Sequence, residues 1–333
     1  MTRLVLIANA GDGTISTLAI HREPNPRLEV LATSGDVKGC STFAIDPERD
    51  LVFAATKDPS IAVLRLDRES GELTELSRRP VDAPLAYLAL TPDGTTLLGA
   101  SYHDGFGEAW PTDGEQLGEP HSRFEYANLH AIVAADDNVY APSLGDDLVA
   151  QFRLEDGELK PLSPGAVNAP AGSGPRHLIV DGQHVYLLTE FSGEVIRYSR
   201  GDNGGLSEEQ RTIVVDPDAG LSRSRYGADP MEEHLIWGAD LHRGGRFLFT
   251  SERTTSTIAT VEVGPDGELG DVLAHTRVEQ QPRGFAVTPD GEFLISVGER
   301  STFASLFAIQ DDGSLEQVSR VGIGAGANWV RVL

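Results

Sequence analysis

One short strand pattern recurs seven times along the 333 residues, and that recurrence constrains the fold more than any other feature. The copies are LVLIAN from Leu4, LVFAAT from Leu51, TLLGAS from Thr96, NVYAPS from Asn138, HVYLLT from His184, RFLFTS from Arg246 and EFLISV from Glu292. Successive starts lie 47, 45, 42, 46, 62 and 46 residues apart. Short strands repeating at about 45 residues are the mark of propeller blades of four strands each. The expected fold is therefore all-β: a seven-bladed β-propeller over residues 1–333 as a single domain.

Each copy sits in a similar unit. An apolar strand comes first, such as Phe43-Ala44-Ile45 or Phe285-Ala286-Val287. A turn follows, Asp46-Pro47-Glu48-Arg49, Thr91-Pro92-Asp93-Gly94 or Thr288-Pro289-Asp290-Gly291, whose residues preset φ or tolerate positive φ. The recurring strand is next, then an alternating strand such as Ile61–Leu66. A second Gly-containing turn leads to a more polar strand. We label the four strands a, b, c and d.

The two ends of the chain complement one another. The first copy begins at strand b, and the last blade is followed by a spare strand, Ala327–Leu333. That strand is expected to enter blade 1 as its innermost member, pairing with Leu4–Ala8 and removing two exposed sheet edges. A two-domain α/β fold is excluded, because no amphipathic helical pattern of ten or more residues occurs.

Charge narrows the partners. Lys and Arg number 27 against 51 Asp and Glu, for a formal net charge of −24. Nucleic acid and anionic membranes are repelled by such a surface. The expected partner is a small molecule, with the protein a monomer or weak homodimer. Cys40 is the only cysteine, so neither an internal disulfide nor a cysteine-based metal site can form. The apolar run Leu4–Ala8 is too short for a signal sequence, and no stretch is long enough to span a bilayer. The expected location is the cytoplasm.

Topology then selects a face. Strands alternate in direction, so the d-to-a and b-to-c connections share one face of the disc. Strand a starts on that face carry Asn128-Leu129-His130, Gly174-Pro175-Arg176-His177, Asp240-Leu241-His242 and Pro282-Arg283. Strand b ends carry Tyr102-His103-Asp104, Thr189-Glu190, Ser251-Glu252-Arg253 and Glu299-Arg300. These groups should ring one mouth of the central channel, where a pocket is expected. They supply a general base and anion-binding arginines. Arg176 and His177 are adjacent, so strand alternation points them opposite ways, one to the channel and one to the neighbouring blade. The interval of 62 residues reflects an insertion, Asp216 to His234, on the same face. It reads as either a passive insertion or a lid whose Arg223, Arg225 and Tyr226 help hold an anionic substrate.

Gly172–His177, Trp237–His242, Ser251-Glu252-Arg253 and Gln281–Phe285 resemble the signatures of the propeller-type 6-phosphogluconolactonase family, which also contains carboxy-cis,cis-muconate cyclases. The similarity runs over essentially the whole chain, including Trp329-Val330. It implies a lactone hydrolase or lactone-forming cyclase that needs no metal and no organic cofactor. It places candidate catalytic positions on His130, Arg176, Glu190 and an arginine from a later blade, with Arg283 and Arg253 as the choices; Arg283 is taken as catalytic, and the mouth residues Tyr102, His177, His242, Arg253 and Arg300 are the candidate substrate-binding positions. The chain departs from the family pattern at Thr189-Glu190-Phe191, at the shortened turn Arg243–Arg246 and at Glu299-Arg300. The last departure adds a carboxylate near the mouth, which disfavours a phosphorylated ligand. The leading expectation is hydrolysis of a sugar lactone, 6-phosphogluconolactone. The alternatives are a lactonising carboxymuconate cyclase, a non-catalytic propeller that binds a protein, and a metal-dependent lactonase recruiting Asn128, Glu190 and Asp240.

Overall fold

The computed structural model describes residues 3–333. The seven recurring patterns become seven b strands, beginning with Arg3–Asn9, Leu51–Thr56 and Thr96–Ser101 and ending with Phe293–Ser296. Each sits second in a four-stranded antiparallel sheet, and seven such sheets make the propeller. The patterning of each strand follows from its radial place. Leu51–Thr56 is buried at every residue, because a b strand has a neighbouring blade on both faces. The outer strand Leu73–Pro80 has only partly buried and exposed positions, as the rim of the disc requires.

The ring closes as the chain ends imply. Strand Ala327–Val332 lies innermost in the first sheet, with Val5 opposite Val332, Ile7 opposite Val330 and Ala8 opposite Trp329. Trp329 also donates from its indole nitrogen to the Phe43 carbonyl of blade 2 at 2.9 Å. Apolar layers fill the gaps between blades on either side of this seam. Leu6, Ala8 and Ile15 pack with Phe43, Val52 and Leu64 of blade 2. Val5, Ile7 and Val330 pack with Ile295 and Leu306 of blade 7. Each such large side chain contributes about 1.5–3 kcal/mol on full burial.

The a-to-b hairpins carry the turn chemistry seen in the sequence. In blade 3, Thr91 Oγ1 donates to Asp93 and the Gly94 amide donates to the Thr91 carbonyl, with Gly94 at φ 68°. Thr288, Asp290 and Gly291 repeat the arrangement in blade 7. The insertion is an ordered strap with a short 3-10 turn, Pro217–Ala219, and a one-turn helix, Pro230–Glu233. Among the described residues no helix is long and apolar enough to cross a membrane.

Candidate active site

Arg176 is 1% exposed and lies in strand a of blade 5, Pro175–Asp181. Pro175 pairs with Thr189 and His177 pairs with Leu188, so Arg176 is an extra residue in a β-bulge. A bulge breaks strict alternation and re-aims a side chain. This overturns the expectation that Arg176 and His177 diverge. Instead Arg176 Nη1 lies 3.2 Å from His177 Nε2, and the two act as one network. Arginine only donates, so Nε2 of His177 accepts and its proton sits on Nδ1, which donates to Asp240 Oδ1 at 2.8 Å. Burial, with Arg176 nearby, pushes the His177 imidazole down to about 3, so it is neutral near pH 7.

Strand a of blade 6, Gly238–Gly244, carries a second bulge between Gly238 and Leu241. It turns the Ala239 carbonyl onto Arg176 Nη1 and places Asp240 behind His177. His242 binds the other Asp240 oxygen at 3.1 Å. Burial works to raise the Asp240 carboxyl, but His242 and His177 outweigh it and hold it well below the usual range. An ionised Asp240 thus orients His177, which orients Arg176.

Glu190 immediately follows strand b of blade 5, His184–Thr189. Its amide donates to the Gly174 carbonyl at 2.7 Å, and its carbonyl accepts from Gly238 at 3.0 Å. Gly174 has φ 68°, and a Cβ there would lie 2.8 Å from the Phe191 ring, so glycine is required for this approach. Glu190 Oε2 accepts from Arg176 Nε at 2.7 Å and from Arg253 Nη2 at 3.2 Å. Among the described residues, the hydrogen bonds to this carboxylate all go to Oε2 and none to Oε1.

Arg253 follows strand b of blade 6, Phe247–Glu252, and its guanidinium lies 3.6 Å over the Trp237 ring. Its Nε is buried without a partner. Burial, together with Arg176 and Arg283, pushes Arg253 down to about 9, opposed by Glu190 and Glu299. That is the mark of a cationic cluster an anion would relieve. Arg283 donates to Glu299 Oε1 at 3.1 Å, and Glu299 Oε2 lies 3.9 Å from Arg253. Burial alone would raise Glu299, but Arg283 and Arg253 keep it below the ordinary range.

His130 lies three residues before strand a of blade 4, Val133–Ala135, and extends its pairing through a 3.0 Å bond from its amide to the Pro142 carbonyl. Its ring is 5.1 Å from that of His177 and 5.4 Å from that of Tyr102. Burial, followed by the proximity of Arg176, His177, Arg283 and Arg253, pushes it well below 6.5. His130 is therefore a neutral imidazole near pH 7. Burial pushes the Tyr102 phenol up to about 12, with Glu190 and Tyr226 adding to the shift.

Tyr102, His130, Arg176, Glu190, Arg253 and Arg283 all line one cavity of about 310 Å³. Three sequence candidates do not. His177 and His242 stand behind Arg176 at Asp240, and the Arg300 side chain is exposed and does not line the cavity. The cavity also takes in Ser41, Pro84–Ala86, His103 and Trp237. Ser41 and Pro84–Ala86 precede the a strands of blades 2 and 3, so position alone selects them, although their chemistry gives no signal. Among the described residues no group of three or more His, Cys, Asp or Glu side chains is arranged to hold a metal ion.

Known proteins agree with this architecture. Residues 4–332 match the family described as Lactonase, 7-bladed beta-propeller. A 6-phosphogluconolactonase of Pectobacterium carotovorum is 30% identical over 345 residues, covering 100% of this chain and 99% of its own. One of Sodalis glossinidius is 30% identical, covering 92% and 91%. The periplasmic gluconolactonase PpgL of Pseudomonas aeruginosa superposes with a TM-score of 0.87 at 23% identity, covering 100% of this chain and 99% of its own. A Lactobacillus plantarum protein does so with a TM-score of 0.86 at 20% identity, covering 100% of both. The chain belongs to the seven-bladed β-propeller lactonase family.

Proposed function

We propose that this protein hydrolyses a sugar δ-lactone, 6-phosphogluconolactone, to the open acid. The observation that carries the reading is the cavity itself: Glu190, with Oε1 free of hydrogen bonds among the described residues, faces three arginines beneath one mouth of the channel. Relatives that cover 92% and 100% of the chain and are named 6-phosphogluconolactonase support this substrate.

In this reading each residue of the cavity has a role. Glu190 Oε1 takes a proton from water as that water attacks the lactone carbonyl. General-base help of this kind is worth about 10²–10⁴ in rate. The carbonyl oxygen becomes an oxyanion, and Arg176 stabilises it. Arg176 is held rigidly by Glu190, the Ala239 carbonyl and His177, so it needs no reorganisation as charge develops. The proton on Glu190 then passes to the ring oxygen as the carbon–oxygen bond breaks. Neutral His130 offers a hydrogen bond to the substrate without adding charge to the arginine cluster. Arg253 and Arg283 balance the carboxylate product.

The test is a lactone panel with purified protein. It should contain 6-phosphogluconolactone, unphosphorylated δ-gluconolactone and a carboxymuconate. Turnover of a sugar lactone above its spontaneous rate supports the reading. Turnover of the carboxymuconate alone would replace it with the cyclase.

A further inference from the structure

A second cavity, of about 520 Å³, lies on the same face under the strap. Its walls include Asn128, Phe191, Arg223, Ser224 and Tyr226. It neighbours the first cavity through two links. Phe191 directly follows Glu190. Asn128 Nδ2 donates to the Tyr102 carbonyl at 3.3 Å.

The charges of the two cavities differ. In the first, Arg176 and Arg253 pair with Glu190, and Arg283 pairs with Glu299. A dianion entering there competes with two carboxylates. On the strap, Arg225 is paired with Glu233 at 2.7 Å. Arg223 instead makes one bond, to the Ala171 carbonyl at 2.8 Å, and among the described residues has no carboxylate within ion-pair distance. Beside it, Ser224 is 6% exposed and its hydroxyl is buried without a partner. The acid on this wall, Asp147, is already engaged by the Gly172 and Gly174 amides at 2.6 and 3.1 Å. The strap is fastened by the Ser224 amide on the Phe191 carbonyl at 3.0 Å and the Ile236 amide on the Ser222 carbonyl at 2.9 Å, so these groups are held in place without a ligand.

We propose that this second cavity is the subsite for the phosphate monoester at the far end of the substrate, with Arg223 as its cation and the Ser224 hydroxyl as a further donor. The identity of the substrate rests on the lactonase reading above. The subsite resolves the conflict posed by Glu299: the lactone carbonyl meets the paired arginines of the first cavity, and the phosphate meets the unpaired arginine of the second. Guanidinium–phosphate contacts are among the stronger hydrogen-bonded pairs.

Calorimetric titration with 6-phosphogluconate and with gluconate tests the subsite without requiring turnover. Wild-type protein should bind the phosphorylated acid about tenfold or more tighter. Arg223→Ala should remove most of that preference, and Arg223→Lys should keep a larger part of it. Equal affinity of the wild type for the two acids overturns the proposal. So does a phosphate preference that survives Arg223→Ala in protein with a wild-type melting curve. A phosphate preference that depends on Arg223, in a protein that turns over no lactone, supports the subsite and overturns the lactonase reading instead.

Discussion

The two ends of the central channel are built from the same inner strands, yet they differ in chemistry. The mouth where strands a begin holds a cavity of about 310 Å³ that gathers three arginines, Glu190 and His130. The opposite mouth holds one of about 350 Å³ lined largely by apolar groups such as Ile45, Leu88, Leu90, Val133 and Leu333. Arg331 is its charged member, and it lies 4.0 Å over the Trp329 ring. Tyr87 lines the far cavity and packs on Trp329 and His177 at 5.0 and 5.2 Å, so an aromatic layer separates the two. The difference arises in the connections. At the far mouth strands a run straight into tight hairpins. At the near mouth the strands of blades 1, 5 and 6 carry bulges, and two of these aim Arg176 and Asp240 into one network. A symmetric ring thus becomes a one-sided site through a few extra residues.

The largest effect should come from the seam that both mouths share. Deleting Ala327–Leu333 removes the innermost strand of blade 1 and leaves the strand of Val5, Ile7 and Ala8 paired on one edge only. Aggregated or unfolded protein is expected. A monomeric product with a near-native melting curve would contradict the closure.

The near mouth should then respond in rate and the far mouth in stability. Arg176→Ala and His130→Ala should each lower kcat/KM by about 10²-fold or more. The double variant should lose less than the product of the two, because both act on one carbonyl. Strict multiplicativity would separate them. Leu88→Ala, at 2% exposure on the far side, should cost about 2–5 kcal/mol of stability while kcat/KM stays within a few-fold of wild type. A catalytic loss as large as that of Arg176→Ala would erase the distinction between the mouths.

Acid should weaken the fold through the near mouth. His177 is pushed down to about 3 and His130 well below 6.5 when folded. Between about pH 6.5 and pH 3 the unfolded chain therefore binds protons that the folded chain refuses. Stability should fall as pH falls through that window, by up to about 1.4 kcal/mol per pH unit for His177, with His130 adding to the fall below its ordinary range. Denaturant midpoints at pH 7 and pH 5 read this. His177→Gln should show a smaller drop, and an undiminished one would mean that His177 does not contribute. The smallest effect belongs to His21, which ends strand c of blade 1 on the far face and pairs with Glu29 at 2.8 Å. His21→Ala should leave kcat/KM unaltered, and a measurable loss would show that the chemistry is not confined to one face.

The ring, its closing strand and the face that carries the polar groups were legible in the sequence because each rests on a period or a turn. The bulges were not, because one additional residue in a strand has no compositional mark. Alternation therefore separated Arg176 from His177, whereas the folded chain joins them. The same blindness explains why His177 and His242 read as ligand contacts when they stand behind Arg176 at Asp240. Arg300 has the right place in sequence, after strand b of blade 7, but its side chain is exposed. Ser41 and Pro84–Ala86 went unnoticed because their residue types suggest no chemistry, although their position before strand a is the same as that of His130.

Glu190, set between Arg176 and Arg253, is the group proposed to activate water for attack on 6-phosphogluconolactone. Steady-state hydrolysis of that lactone by wild-type protein and Glu190→Gln, with melting curves of both, tests that role most directly. The amide keeps the shape and an acceptor for the arginines but cannot take the proton. Enzymatic turnover by the wild type, a loss of about 10²-fold or more in kcat for the variant, and similar melting curves are expected. Wild-type turnover by Glu190→Gln would contradict that role.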